Sequence, residues 1–270
     1  MISKYNHNSL TWVDLEYPKP EEIAYIIDEY SIPSPLEEEI TSITTLRAKI
    51  KASAGFVFVS FIFPNISHSD NKVFDNKISF IIDEDIVITI HDKPVQALTE
   101  FLNNLEMDVA VLDELHINNN SLLVFYLMKS LYVSLKDQLI INNKEIKELE
   151  NEIIGTKSKN ISKLIYNKNC VLIKIDKCLN SNERILKHLS SYLTQVFGDN
   201  FEYYISLIIN EHSETKDMIG EQAKSFGNLY NISNLMLIDH NNRKLKILTR
   251  LLIVVLLIII LMFLYVFSNI

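Results

Sequence analysis

The last 20 residues, Leu251 to Ile270, read LLIVVLLIIILMFLYVFSNI and carry no charge. As a helix the run is about 30 Å long, which matches the hydrocarbon core of a bilayer. A water-soluble fold would have to bury such a helix on every side, so a transmembrane helix is the expectation. A run at the C-terminus does not fit a cleaved signal peptide. A GPI-type signal needs small residues and a polar spacer before the tail, and here the preceding segment is basic instead.

That basic segment is Arg243, Lys244, Lys246 and Arg250, and no acidic residue follows Asp239. The positive-inside rule places this collar, and the bulk of the chain before it, on the cytoplasmic side, with the collar beside anionic lipid headgroups. Without those four cations, residues 1–240 hold 22 basic against 34 acidic residues, a net of −12. Such an acidic body argues against a nucleic-acid partner and attracts cations. At 48% hydrophobic the chain is too apolar to be disordered, and two cysteines cannot make a disulfide scaffold.

Proline and glycine divide the chain. All six prolines lie between Pro18 and Pro94, so the 176 residues from Val95 onward have none. Gly227 is the last glycine. Turn-bearing structure is therefore expected first and long helices afterwards. Leu10–Leu15 alternates as a strand, and Pro18 and Pro20 end it. Residues 21–30 carry Ile23, Ile26, Ile27 and Tyr30 at helical spacing. Ser34 as cap with Pro35 in the first turn predicts a second helix. Thr45–Ile50 alternates weakly, and Gly55–Phe63 reads as a buried central strand. Ile78–Ile82 and Ile86–Ile90 predict a hairpin turned at Asp83-Glu84-Asp85. That acidic triplet suits a solvated turn better than a metal site.

Beyond Pro94 the pattern predicts helices over 95–105, 122–154 and 161–197. A break at Gly198-Asp199-Asn200 then precedes one continuous helical pattern to the C-terminus, with near-heptad spacing suited to a coiled coil. A helix of that length, about 100 Å, needs partners, either earlier helices or copies of the chain. The fold class is α+β. A mixed α/β cytoplasmic domain (1–94) is followed by stalk helices (95–240), then by the collar and one C-terminal transmembrane helix (241–270). The seven histidines are scattered, Cys170 and Cys178 suit free thiols, and neither a phosphate loop, a dinucleotide fingerprint nor a nucleophile elbow is present. Nothing in these patterns points to an enzyme.

Several segments resemble the CorA family of divalent-cation transporters. They are Trp12-Val13-Asp14-Leu15 with Pro20-Glu21-Glu22, Ser34 through Ile40, and Ile81 through Ile88-Thr89-Ile90-His91. The strongest is Asn242 with Lys246, Leu248 and Thr249, which in the family marks entry into the pore-lining helix. The resemblance implies a homopentamer around a central pore, with Asn242, Leu245, Leu248, Thr249 and Leu256 lining its cytoplasmic half. It implies Mg²⁺ as the ion, or Co²⁺, Ni²⁺ or Zn²⁺ as in some members, transported or regulatory, with no tightly bound cofactor. Family carboxylates that sense the ion have no assigned counterparts here.

The family signature after this helix is Tyr-Gly-Met-Asn. In that register Tyr265 stands at the tyrosine, Val266, Phe267 and Ser268 replace Gly-Met-Asn, and Asn269 falls one residue late. Leu257 and Phe263 stand where the family has a proline and a glycine. The sequence stops at Ile270, before a second membrane helix. Two further expectations stay open beside transport: a non-conducting single-span relative with an ion-sensing or partner-binding domain, and a truncated transporter.

Overall fold

The computed structural model describes residues 1–7, 10–42, 47–67, 72–107, 119–155, 159–199 and 201–268, with the side chains of the last helix described as far as residue 262. Among the described residues, six strands and six helices run in the order β1 (Ile2–His7), β2 (Leu10–Glu16), α1 (Pro20–Glu29), α2 (Ser34–Thr41), β3 (Lys49–Ser53), β4 (Phe56–Ser67), β5 (Lys72–Ile82), β6 (Val87–His91), α3 (Gln96–Met107), α4 (Asn120–Gly155), α5 (Lys159–Phe197) and α6 (Phe201–Ser268). The α+β class expected from the sequence is what forms. Residues 1–144 and 170–223 make one compact unit, and residues 145–169 and 224–270 make another.

The first unit is built on a six-stranded sheet of order β1-β2-β6-β5-β4-β3. Neighbours are antiparallel except β2 and β6, which pair in parallel. Register sets two faces, because alternate side chains point to opposite sides. Val13, Ile88, Ile81 and Phe58 stand directly opposite one another across four strands. With Leu15 and Ile90 they meet Ile23 and Ile26 of α1 and Leu36 and Ile40 of α2 in one apolar cluster. Burial of each such side chain contributes roughly 2 kcal/mol. The other face carries Trp12, Phe80, Phe61 and Phe63. Trp12 packs on Phe101 of α3 at 5.9 Å between ring centroids, and Phe63 packs edge-on against Tyr132 of α4 at 5.1 Å. The interior strands β4 and β6 are therefore buried on both faces, β4 by a nearly continuous apolar sequence and β6 with Thr89 and His91 among its buried residues.

Local chemistry explains the ends of several elements. Lys19 precedes α1, and its backbone N–H donates to Glu22 Oε2 at 2.8 Å. One sequence expectation needs correction: Pro33, not Ser34, occupies the cap of α2. Its carbonyl accepts the Leu36 N–H at 2.8 Å, so the first turn closes one residue earlier. Ala54 and Gly55 both have positive φ (47° and 89°), the conformation of a two-residue hairpin turn between β3 and β4. The acidic triplet is the expected tight turn, with the Asp83 N–H donating to the Ile86 carbonyl at 2.9 Å. Gly198, at φ 82°, ends α5, where its N–H donates to the Thr194 carbonyl.

Strand β1 has no counterpart among the sequence expectations. Its Ser-Lys-Tyr-Asn centre lacks a hydrophobic alternation, because an edge strand is paired on one side only. At the opposite side of the sheet, β4 runs beyond the end of β3. There Asn182 of α5, fully buried, substitutes for a neighbouring strand. Its Nδ2 donates to the Ile62 carbonyl at 2.8 Å, and its Oδ1 accepts the Ile62 N–H at 2.9 Å.

The helical layer of this unit is tied by polar contacts. Lys136 of α4 pairs with Glu211 and, at 3.2 Å, with Glu214 of α6. Lys216 of α6 pairs with Glu183 of α5 at 2.7 Å. Asn142 Nδ2 donates to Gln222 Oε1 at 2.8 Å, and Gln222 Nε2 donates to the Leu139 carbonyl. In the second unit Ile146, Leu149, Ile165, Phe226 and Leu229 are buried, and Lys168 pairs with Glu145.

Candidate functional site

Residues 241–262 of α6 are all exposed, and from Leu251 on they are uniformly apolar. Soluble chains do not leave a surface of this kind facing water. Its length and composition make it a candidate membrane span.

The residues singled out in the sequence fall on this helix with a definite phase. At about 100° per residue, Asn242, Leu245, Leu248, Thr249 and Leu256 occupy roughly a third of the circumference. Arg243, Lys246 and Arg250, spaced i, i+3 and i+7, form an adjoining basic stripe, and Lys244 points away from it. Thr249 Oγ1 donates to the Leu245 carbonyl at 2.9 Å, so its hydrogen is used within its own helix while its oxygen stays exposed. Arg243 Nε meets Asp239 at 2.9 Å, an exposed pair one turn apart that contributes little to stability. The backbone stays helical through Ser268. Asn269, and the side chains of Tyr265, Val266, Phe267 and Ser268, lie outside the described residues.

A second constellation was visible in the sequence only as separate motifs. Parallel pairing of β2 with β6 sets Asp14 opposite Thr89 and Glu16 opposite His91. Trp12-x-Asp14 and Thr89-x-His91 thereby share one sheet face. Trp12 Nε1 donates to Thr89 Oγ1 at 2.9 Å, and Thr89 Oγ1 donates in turn to Asp14 Oδ1. His91 Nε2 lies 3.2 Å from both Asp14 oxygens, and His91 Nδ1 lies 2.6 Å from the Lys93 carbonyl. Burial alone would lower the His91 pKa. The Asp14 carboxylate outweighs it and holds the imidazole above its ordinary value. The i, i+2 spacing in each motif was the available signal, but the pairing that joins them spans the whole domain. The network is buried and fully engaged, so it braces the sheet and offers no open ligand site.

Among the described residues, no three His, Cys, Asp or Glu side chains converge to hold a metal ion. Burial pushes the Cys178 thiol up to about 12, which leaves it a poor nucleophile.

Fold and helix together define a class: an α+β domain carried on long helices, one of which continues into a candidate membrane span. Residues 7–260 match the family model described as CorA-like Mg2+ transporter protein, and the chain belongs to that family of membrane-embedded transporters. Among solved structures it resembles the complete CorA magnesium transporter of Methanocaldococcus jannaschii, with a TM-score of 0.76 and 16% identity over 91% of this chain and 75% of that one. Full-length CmaX gives a TM-score of 0.70 at 14% identity, covering 88% of this chain and 72% of that chain. The ZntB cytoplasmic domain of Vibrio parahaemolyticus gives 0.58 at 12%, covering 87% and 88%. No curated protein matches the sequence. At these identities the structural likeness speaks for the fold.

Proposed function

We propose that this chain forms a homo-oligomeric pore, a pentamer by resemblance, that passes Mg²⁺ or a related divalent cation down its electrochemical gradient. Asn242, Leu245, Leu248, Thr249 and Leu256 of each copy line the cytoplasmic half. Residues 1–94 act as the cytoplasmic domain, 95–240 as the stalk, and 241–270 as collar and span. The observation that carries this reading is the exposed face of α6 over residues 241–262 in a chain of the CorA-like family. Such a surface calls for lipid on one side and copies of itself on the other. On the proposed pore-lining face Thr249 is the last polar residue before the apolar stretch, so that stretch acts as a dewetting gate for a hydrated ion.

The test is reconstitution in liposomes loaded with a Mg²⁺ dye under an imposed potential. Flux above that of empty vesicles, reduced severalfold by Asn242→Leu, is the expected result. An inserted oligomer that moves no Mg²⁺ overturns it. The substitution of Val266, Phe267 and Ser268 for the family's Gly-Met-Asn favours a second reading, a non-conducting relative whose domain binds ions or partners. Under that reading Mg²⁺ raises the melting temperature without flux.

A further inference from the structure

The sheet edge at β3 holds a cavity that ion transport does not use. Among the described residues strand β3 ends the strand order, and one row of its backbone groups has no neighbouring strand there. Against it opens a cavity of about 580 Å³, within the usual size range for small-ligand sites. Its charged lining is Glu39 from α2, Arg47 just before β3, Lys49 and Lys51 of β3, and Arg184 of α5.

Four cations therefore face one carboxylate, and that carboxylate is already engaged. Glu39 lies 2.8 Å from Lys49 Nζ and 4.0 Å from Lys51 Nζ, and Lys49 above all holds its carboxyl below the ordinary range. Lys51 Nζ also donates to the Pro35 carbonyl at 2.7 Å. Arg47 and Arg184 are exposed and make no ion pair among the described residues. In a stretch with a net charge of −12 over residues 1–240, two arginines left open toward one cavity depart from the surrounding charge balance. An excess of three positive charges repels a bare dication and attracts an anion. Guanidinium groups present planar forks of donors that match phosphate oxygens in pairs.

We infer that this cavity binds a small organic phosphate of nucleoside-diphosphate size carrying at least two negative charges, held by Arg47 and Arg184 with Lys49 and Lys51 supplying field. This inference does not depend on the transport reading, since a chain that moves no Mg²⁺ would still bind the phosphate.

The experiment uses the full chain in detergent, with EDTA and about 0.15 M salt to screen loose association. ADP and inorganic pyrophosphate are titrated calorimetrically and by thermal melt, with adenosine as the uncharged control. ADP is expected to bind at one site per chain and raise the melting temperature, while adenosine does nothing. Arg47→Ala and Arg184→Ala should each weaken ADP binding about tenfold. Neither side chain makes an ion pair among the described residues, so the unliganded melt should not move. Arg184→Glu is the second variant and should abolish binding. Pyrophosphate binding as tightly as ADP supports the site and assigns its affinity to the phosphates. The inference falls if neither anion binds, if the double alanine variant binds as the parent does, or if adenosine matches ADP.

Discussion

His91 and Asp14, 77 residues apart in sequence, form a buried ion pair across the one parallel strand pair of the sheet. Both ring nitrogens of His91 face groups that only accept: the Asp14 carboxylate and the Lys93 carbonyl. A protonated ring, donating from both nitrogens, satisfies every one of these partners, in keeping with a pKa that the Asp14 carboxylate raises above the ordinary value. His91 is 1% exposed and Asp14 12%, so the ring is shut off from water while the carboxylate keeps only slight access to it.

Asp14→Asn should destabilise the domain by about 3 kcal/mol, because it strands a buried cation. The pH dependence has a definite sign. The folded pKa of His91 is raised above 6.5, so its contribution is full below that pH and is lost as pH rises through the folded value. Denaturant melts from pH 6 to pH 9 should show the stability gap between parent and Asp14→Asn narrowing as pH rises. A constant gap would mean that the ring is neutral throughout.

Asn182 gives β4 the hydrogen bonds that β3 is too short to supply. Asn182→Leu fills similar space but leaves the Ile62 N–H and carbonyl unpaired in the interior. A loss of about 3 kcal/mol is expected from two buried orphans. The Ile62 amide should also exchange its hydrogen far faster. Unchanged protection at Ile62 would show that another group closes the edge.

His212 behaves oppositely to His91. Tyr132 Oη lies 3.2 Å from its Nδ1, and its Nε2 has no hydrogen-bond partner among the described residues. Burial, with the Lys216 charge second, pulls its pKa down to about 4. A base with a depressed folded pKa stabilises above its unfolded value, so stability should fall as pH drops from 6.5 toward about 4. His212→Phe should flatten that part of the acid melt. An equally steep profile in the variant would assign the slope to carboxylates.

Under the proposed topology the basic collar orients the span. Replacing Arg243, Lys244, Lys246 and Arg250 by Gln should remove about 1 kcal/mol of attraction to an anionic leaflet per charge. Protease treatment of sealed vesicles should find the N-terminal domain on one side in the parent and on both sides in the variant. A single orientation in both would mean that orientation is set elsewhere.

Much of this was legible in the chain itself. The charge-free run from Leu251, the absence of proline after Pro94 and the helical spacing of Ile23, Ile26 and Ile27 are local patterns. Local patterns suffice where a single helix or strand decides its own buried face. Sequence alone thus determined the long helices, the buried strand β4, the hairpin of β5 and β6 with its turn at Asp83–Asp85, and the apolar segment with its basic flank. Tertiary structure decided the rest. Strand β1 becomes a strand only because β2 offers it an edge. Asn182 reaches Ile62 across 120 residues, and Trp12, Thr89, Asp14 and His91 meet only through the parallel pairing. Arg47 and Arg184 face one cavity only because α5 lies against the end of the sheet. In each case the deciding contact is between residues far apart in the chain, and short-range spacing carries no record of which distant groups will share a desolvated site.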